Sequence, residues 1–145
     1  MTDFEIKSRV KVFNGHLIRF SHLSKETKTT MTCAVYIPIV TMENAKFPTL
    51  LYLSGLTCTD ENVCQKSGVF RYLSEAKMGF IAPDTSPRGA GIPGDKDQWD
   101  LGEGAGFYVD ATEQLWAPHY RMYSYITVEL LDVIKQHFGE LDMAK

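Results

Sequence analysis

FPTLLYLSGLTCTDEN, Phe47 to Asn62, decides the fold. It starts as a nearly unbroken apolar run, Phe47 to Ser54, and breaks at Ser54-Gly55 into a polar turn. Such a run suits a central strand buried on both faces. Beyond the turn, Asn62 to Lys77 carries Val63, Val69, Phe70, Leu73 and Ala76 at helical spacing, across Gly68. MGFIAPD, Met78 to Asp84, then reads as a short strand. Strand, helix and strand in this order make a parallel crossover unit.

Upstream, VKVFNGHLIRF (Val10 to Phe20) alternates around Asn14-Gly15, two residue types that accept positive φ. This pattern predicts a hairpin. MTCAVYIP, Met31 to Pro38, reads as a third strand after the polar loop Lys25 to Thr30. Downstream, Thr85 to Pro118 is rich in Gly and Pro and shows no period. Its aromatics, Trp99, Phe107, Tyr108 and Trp116, argue for an ordered loop. His119 to Gly139 predicts a helix with Met122, Tyr125, Ile126, Leu130, Val133, Ile134 and Phe138 on one face, stopped by Gly139. The fold class is therefore α/β, with antiparallel edge strands leading into a parallel sheet with flanking helices. A further strand is expected after the last helix. Without it, Thr49 to Leu53 is left as an open apolar sheet edge.

The chain has 145 residues, about one domain of ordinary size. With 44% hydrophobic and 23% charged residues it holds enough apolar mass for a packed core. A net charge of -3 offers no electrostatic case for nucleic acid or an anionic membrane. No apolar run approaches the roughly 20 residues that span a bilayer. The N-terminus, MTDFEIKSRV, lacks the basic-then-apolar order of a secretory signal. Three cysteines at irregular spacings make no disulfide framework. A cytoplasmic location is the expectation.

Several residues in and around the turn carry usable chemistry. Ser54 lacks the preceding Gly of a G-x-S-x-G nucleophile turn, a pentapeptide that occurs nowhere in the sequence, and reads as a strand-ending serine. Cys58 lies just before a predicted helix N-terminus, which favours thiolate. Its candidate bases are His16, His22, His119 and His137, and nothing in the sequence brings them near. Cys33 and Cys64 read as strand and helix core residues, and the Cys58–Cys64 spacing fits neither a redox nor a zinc motif. Asp84, Asp95, Asp97, Asp100, Glu103, Asp110 and Glu113 lie in or beside the long loop, without the ligand spacing of a calcium loop. GEGAGF, Gly102 to Phe107, follows no predicted strand and lacks the Lys of a phosphate cradle. No metal or cofactor is expected. The turn itself remains. A tight Gly turn after a buried strand aims backbone N–H groups at a cleft, where they can stabilise a developing oxyanion. In the α/β-hydrolase arrangement one such donor comes from the loop after the third strand, and the Leu56 N–H occupies that place.

Four collinear blocks identify a family: LYLSGLTCTDEN (Leu51 to Asn62), IAPDTSPRG (Ile81 to Gly89), WDLGEGAGFYVDATE (Trp99 to Glu113) and HYRMYSYITVEL (His119 to Leu130). They closely resemble S-formylglutathione hydrolase, the esterase D family, over nearly the whole chain. The resemblance implies an α/β-hydrolase fold, a cytosolic and usually dimeric enzyme, and no cofactor. It implies hydrolysis of S-formylglutathione to glutathione and formate, and of simple carboxylic esters, by Ser-His-Asp acyl transfer. The family's chain is about twice as long, so these 145 residues correspond to its N-terminal half, one partial domain ending before the nucleophile elbow. The triad is expected beyond Lys145. By resemblance, Leu56 supplies an oxyanion-hole N–H, and Gly55 and Cys58 belong to the same turn. Cys58 matches a family cysteine whose oxidation or alkylation can inhibit. Trp99, Phe107 and Tyr108 fall in blocks near the active-site side.

Three readings follow. The chain is part of a genuine hydrolase, inactive alone. Or it is a non-catalytic short form that binds the full-length enzyme. Or it is a redox module acting through Cys58.

Overall fold

The computed structural model describes residues 3–143. Three antiparallel strands open the chain: β1 (Phe4–Lys11), β2 (Gly15–Leu23) and β3 (Thr30–Pro38). Next come β4 (Phe47–Leu51), α1 (Asp60–Lys66), α2 (Val69–Ala76) and β5 (Gly79–Pro83). The last helical stretch consists of α3 (Met122–Ser124), a π-helical turn (Tyr125–Glu129) and α4 (Leu130–His137). A two-residue strand, β6 (Leu141–Asp142), follows. The sheet order is β1-β2-β3-β5-β4-β6, with β4 parallel to both β5 and β6.

The pleat divides the core in two. Cys33, Val35 and Ile37 of β3 and Ile81 of β5 face the last helix through Tyr125, Ile126, Leu130 and Ile134. Ala34 and Tyr36 of β3 and Phe80 and Ala82 of β5 face α1 and α2 through Val63, Phe70 and Leu73. Helices thus cover both faces of the sheet's centre, as an α/β layer arrangement requires. The helical face expected over 119–139 is the buried one, with Val133 partly buried. The π turn is closed by the Leu130 N–H donating to the Tyr125 carbonyl, five residues back. Among the described residues no helix is long and apolar enough to cross a membrane.

Four expectations need correction. The strand buried on both faces is β5, whereas β4 alternates and leaves Leu50 42% exposed. The cause is tertiary: α1 and α2 pack over β3 and β5 and leave that face of β4 open. Second, the helix expected over Asn62 to Lys77 is two helices. Thr59 caps α1 through a reciprocal box with Asn62, and Gly68, at φ 66°, starts α2 in a new direction. Third, Phe13 rather than Asn14 or Gly15 holds the positive φ of the hairpin turn, at 49°. Gly15 is needed for room, because a Cβ there would lie 2.4 Å from the Tyr36 ring. Fourth, a short strand does follow the last helix, and β6 covers the start of β4's outer side while leaving Thr49 to Leu53 without a β6 partner. Phe47 and Pro48 pair in parallel with Leu141 and Asp142, and the Phe47 N–H donates to the Glu140 carbonyl at 2.8 Å.

Candidate functional site

Chain leaving the C-terminal end of β4 turns sharply over Gly55, Leu56, Thr57 and Cys58. The Cys58 N–H donates back to the Gly55 carbonyl at 3.2 Å, closing a four-residue turn. Thr57, its third residue, sits at φ 68°. That position of such a turn ordinarily takes Gly, and a β-branched residue there is strained. Strain of this kind persists only where surrounding contacts over-determine it.

Those contacts are present on both sides of the turn. The Thr57 N–H donates to the Gly104 carbonyl at 2.8 Å. The Gly104 N–H in turn donates to Ser86 Oγ at 2.8 Å. Before the turn, the Tyr108 hydroxyl donates to the Ser54 carbonyl at 2.6 Å. Burial first, and then the nearby Asp84, Cys58 and Tyr52, push the Tyr108 phenol up to about 12, so it stays a donor. After the turn, the Cys58 carbonyl accepts from Thr85 Oγ1 at 2.5 Å and from Arg88 Nη2 at 3.3 Å. The Gly-rich run, expected to be an ordered loop, is a strap laid against the turn. Gly106, at φ 71°, passes so close that a Cβ would stand 3.4 Å from the Leu56 nitrogen.

One group in this network is left over. The Leu56 N–H has no hydrogen-bond partner among the described residues. Leu56 is 38% exposed and Gly55 is exposed, so the donor lies at the surface of the turn rather than in the core. It is a fixed, unengaged backbone dipole at the C-terminal end of a parallel strand, where open α/β sheets bind ligands.

The other sequence candidates lie in varied surroundings. Cys58 is half-buried, and no histidine hydrogen-bonds its thiol among the described residues. His22 is buried against the Tyr125 hydroxyl at 3.0 Å, His119 Nδ1 meets the Thr27 carbonyl at 2.7 Å, and His137 stacks on Phe4 at 3.7 Å. Cys33 is fully buried, and burial pushes its thiol up. Cys64 is half-buried, its thiol pushed up to about 12 by burial and then by Asp60 and Glu61. Phe107 is exposed and lines a cavity of about 380 Å³, together with Ser86, Ala105, Trp116 and Tyr120. Trp99 is 69% exposed on the long loop, outside the residues that line this cavity. Ser54 is buried and engaged through its carbonyl.

Three of the loop carboxylates, Asp84, Glu103 and Asp110, hold backbone in place. Asp84 is gripped by Arg88 at 2.7 Å and 3.0 Å and accepts from the Thr85 N–H at 2.7 Å. Glu103 accepts from the Gly89 N–H at 2.7 Å. Burial raises the Asp110 carboxyl, but bonds from the Ser124 hydroxyl and amide, helped by Arg121, outweigh it and hold it low. Sequence reading missed Thr85, Arg88, Gly104 and Gly106 as parts of the site. The only signal was their membership of the blocks that carry the resemblance.

The family model described as "Putative esterase" matches residues 24–144. The chain belongs to this esterase family. Among curated relatives, the S-formylglutathione hydrolase of Bos taurus is 52% identical over 131 residues, covering 90% of this chain and 46% of that protein. The Arabidopsis thaliana S-formylglutathione hydrolase is 43% identical over 135 residues, covering 93% and 47%. The solved S-formylglutathione hydrolase from Agrobacterium tumefaciens superposes with a TM-score of 0.91 at 46% identity, over 97% of this chain and 50% of that one. A fluorophosphonate-binding serine hydrolase of Staphylococcus aureus, at 19% identity and a TM-score of 0.65, covers 88% of this chain and 43% of its own, and shares the fold alone. The esterase fold is thus of the α/β-hydrolase type, and the chain spans about half the length of the curated relatives it matches.

Proposed function

We propose that this chain supplies the oxyanion-stabilising part of a serine hydrolase that cleaves S-formylglutathione and simple esters. The observation that carries this reading is the unengaged Leu56 N–H on a strained, doubly braced turn at the end of β4. Relatives at 43% and 52% identity that bear the name S-formylglutathione hydrolase support the substrate.

In the reaction, a histidine takes the proton of a serine hydroxyl as its oxygen attacks the formyl carbon, and the carbonyl electron pair moves onto oxygen. The Leu56 N–H donates to that oxygen as its charge develops. This preorganised donor needs no rearrangement at the moment of reaction. Collapse breaks the C–S bond, and glutathione leaves with a proton from a histidine general acid. Water, giving a proton to the same histidine, then attacks the formyl-serine in the same site, the C–O bond to serine breaks, the serine oxygen regains the proton and formate leaves. The serine, histidine and aspartate come from outside these 145 residues, whose sequence contains no G-x-S-x-G turn. By itself the chain therefore turns over no substrate. The complete enzyme is a cytoplasmic homodimer in this reading.

A cysteine-based alternative has less behind it, because no general base reaches the Cys58 thiol through a hydrogen bond among the described residues. The deciding experiment measures formate release from S-formylglutathione by this chain, and by a longer hydrolase that contains it together with a G-x-S-x-G segment. Release by the longer protein only, abolished by replacing its elbow serine, is the expected result. Release by the 145-residue chain, lost on Cys58→Ser, would overturn it.

A further inference from the structure

We infer that Thr85 and Arg88 are positioning residues for the oxyanion turn, acting as a clamp on the Cys58 carbonyl. The inference rests on the proposed role of Leu56 and extends it to residues that hold the backbone of its turn. Neither side chain hydrogen-bonds Leu56 among the described residues.

The clamp begins at β5, the parallel neighbour of β4. Immediately after β5, Asp84 is buried and holds both clamp residues at once. It accepts from the Thr85 backbone N–H at 2.7 Å, and from Arg88 Nε at 2.7 Å and Nη2 at 3.0 Å. With the backbone and guanidinium so fixed, Thr85 Oγ1 and Arg88 Nη2 both reach the Cys58 carbonyl, at 2.5 Å and 3.3 Å. Thr85 itself is fully buried, so its hydroxyl has no water to exchange for this acceptor.

The position of this acceptor gives the contact its consequence. Cys58 is the last residue of the turn, and Ser54, just before it, is held by Tyr108 at 2.6 Å. Between the two anchors Thr57 keeps a φ of 68° that its side chain disfavours. Relaxation by a peptide flip would exchange the directions of the Thr57 N–H and the Leu56 carbonyl. It would also break the bond from Thr57 to Gly104. The flipped Leu56 carbonyl would face the Gly104 carbonyl, and the two oxygens would repel each other. With Cys58 clamped, the turn has no free end through which to relax, and the Leu56 N–H keeps its direction relative to β4.

The test is backbone amide hydrogen exchange, resolved by residue, in the 145-residue chain. Thr85→Val keeps shape and removes the donor, and Thr85→Ser keeps the donor. In Thr85→Val, exchange at the Thr57 and Cys58 amides should rise at least tenfold, with the β2–β3 amides of Ile18 and Val35 unchanged. Thr85→Ser should restore native rates. Arg88→Lys keeps a charge before Asp84 but loses the fork that reaches Cys58, and it should raise the same two amides if Thr85→Val does not fold. Native rates at Thr57 and Cys58 in both disruptive variants would overturn the clamp, as would an equal rise at Ile18 and Val35. In an active hydrolase containing this chain, Thr85→Val should lower kcat at least tenfold with KM nearly unchanged. Faster exchange at the turn with kcat intact would leave the clamp standing and remove the oxyanion role of Leu56. The two ideas therefore fail separately.

Discussion

The Thr57 amide donates to the Gly104 carbonyl at 2.8 Å while Thr57 itself sits at φ 68°. The two facts belong together, since the long-range bond holds the residue in a conformation that its own side chain opposes. A left-handed conformation costs a residue with a Cβ roughly 1–2 kcal/mol. Gly escapes that cost but loses more backbone freedom on folding, roughly 0.5–1 kcal/mol. Thr57→Gly should therefore stabilise the chain by about 0.5–1 kcal/mol, seen as a higher urea midpoint. Gly104→Ala, at φ 77°, should shift the midpoint the other way by about 1 kcal/mol. A Thr57→Gly midpoint below that of the native chain would mean that the threonine side chain is itself needed by the turn.

Leu56 is the second residue of the turn, the position where Pro is favoured. Its N–H has no partner to lose, and the preceding Gly55 tolerates a following Pro. Leu56→Pro thus deletes the proposed oxyanion donor while leaving the turn intact. Stability should change by no more than about 0.5 kcal/mol. In an active hydrolase containing these residues, kcat should fall about 10²–10³-fold, with little change in KM. Unchanged kcat would show that the oxyanion is stabilised elsewhere.

Much of this arrangement was legible in the sequence, and the illegible part has a common cause. The β1–β2 hairpin and the buried face from Met122 to Phe138 follow from periodicity, which one stretch of chain carries by itself. The turn after β4 was legible for the same reason, as an apolar run broken by Ser54-Gly55. The braces on that turn were not. Thr85 and Arg88 lie 27 and 30 residues from the carbonyl they hold, and no local pattern encodes such a pairing. Nor does composition say which of two apolar strands is covered on both faces. β4 and β5 read alike, and only the placement of α1 and α2 over β3 and β5 separates them. Gly68 and Phe13 show the limits of residue preference, since one breaks a periodic helix and the other takes a conformation expected of its neighbours.

His22 should make stability depend on pH. Burial lowers its pKa from the usual 6.5, partly offset by the charge of Glu129, and its ring meets the Tyr125 hydroxyl at 3.0 Å. The unfolded chain therefore binds a proton on this residue at a higher pH than the folded one. Stability should be unaffected by His22 well above pH 6.5 and should decline as pH falls below that value, levelling once the folded residue also protonates. His22→Gln keeps a polar partner for Tyr125 but cannot titrate. Urea midpoints for the native chain should drop between pH 7 and pH 5, and the drop should be smaller in His22→Gln. Equal slopes in the two proteins would place the pH sensitivity elsewhere.

The outer side of β4 makes the last prediction. β6 pairs only with Phe47 and Pro48, and beyond them Leu50, Leu53 and Leu56 are each about two-fifths exposed. An apolar strand edge with unpaired amides is a template for further strands. The 145-residue chain at micromolar concentration should therefore sediment as a mixture of monomer and larger species. Replacing Leu50 and Leu53 by Lys puts two like charges on and just beyond that strand, at positions about two-fifths exposed. The double variant should shift the distribution toward monomer while leaving the urea midpoint within about 0.5 kcal/mol of native. If the native chain is monomeric throughout, the strand edge is protected by some contact other than β6. If it associates equally with and without the lysines, the adhesive surface lies elsewhere, and the exposed Phe107, Val109 and Leu115 beside the cavity are the next group to test.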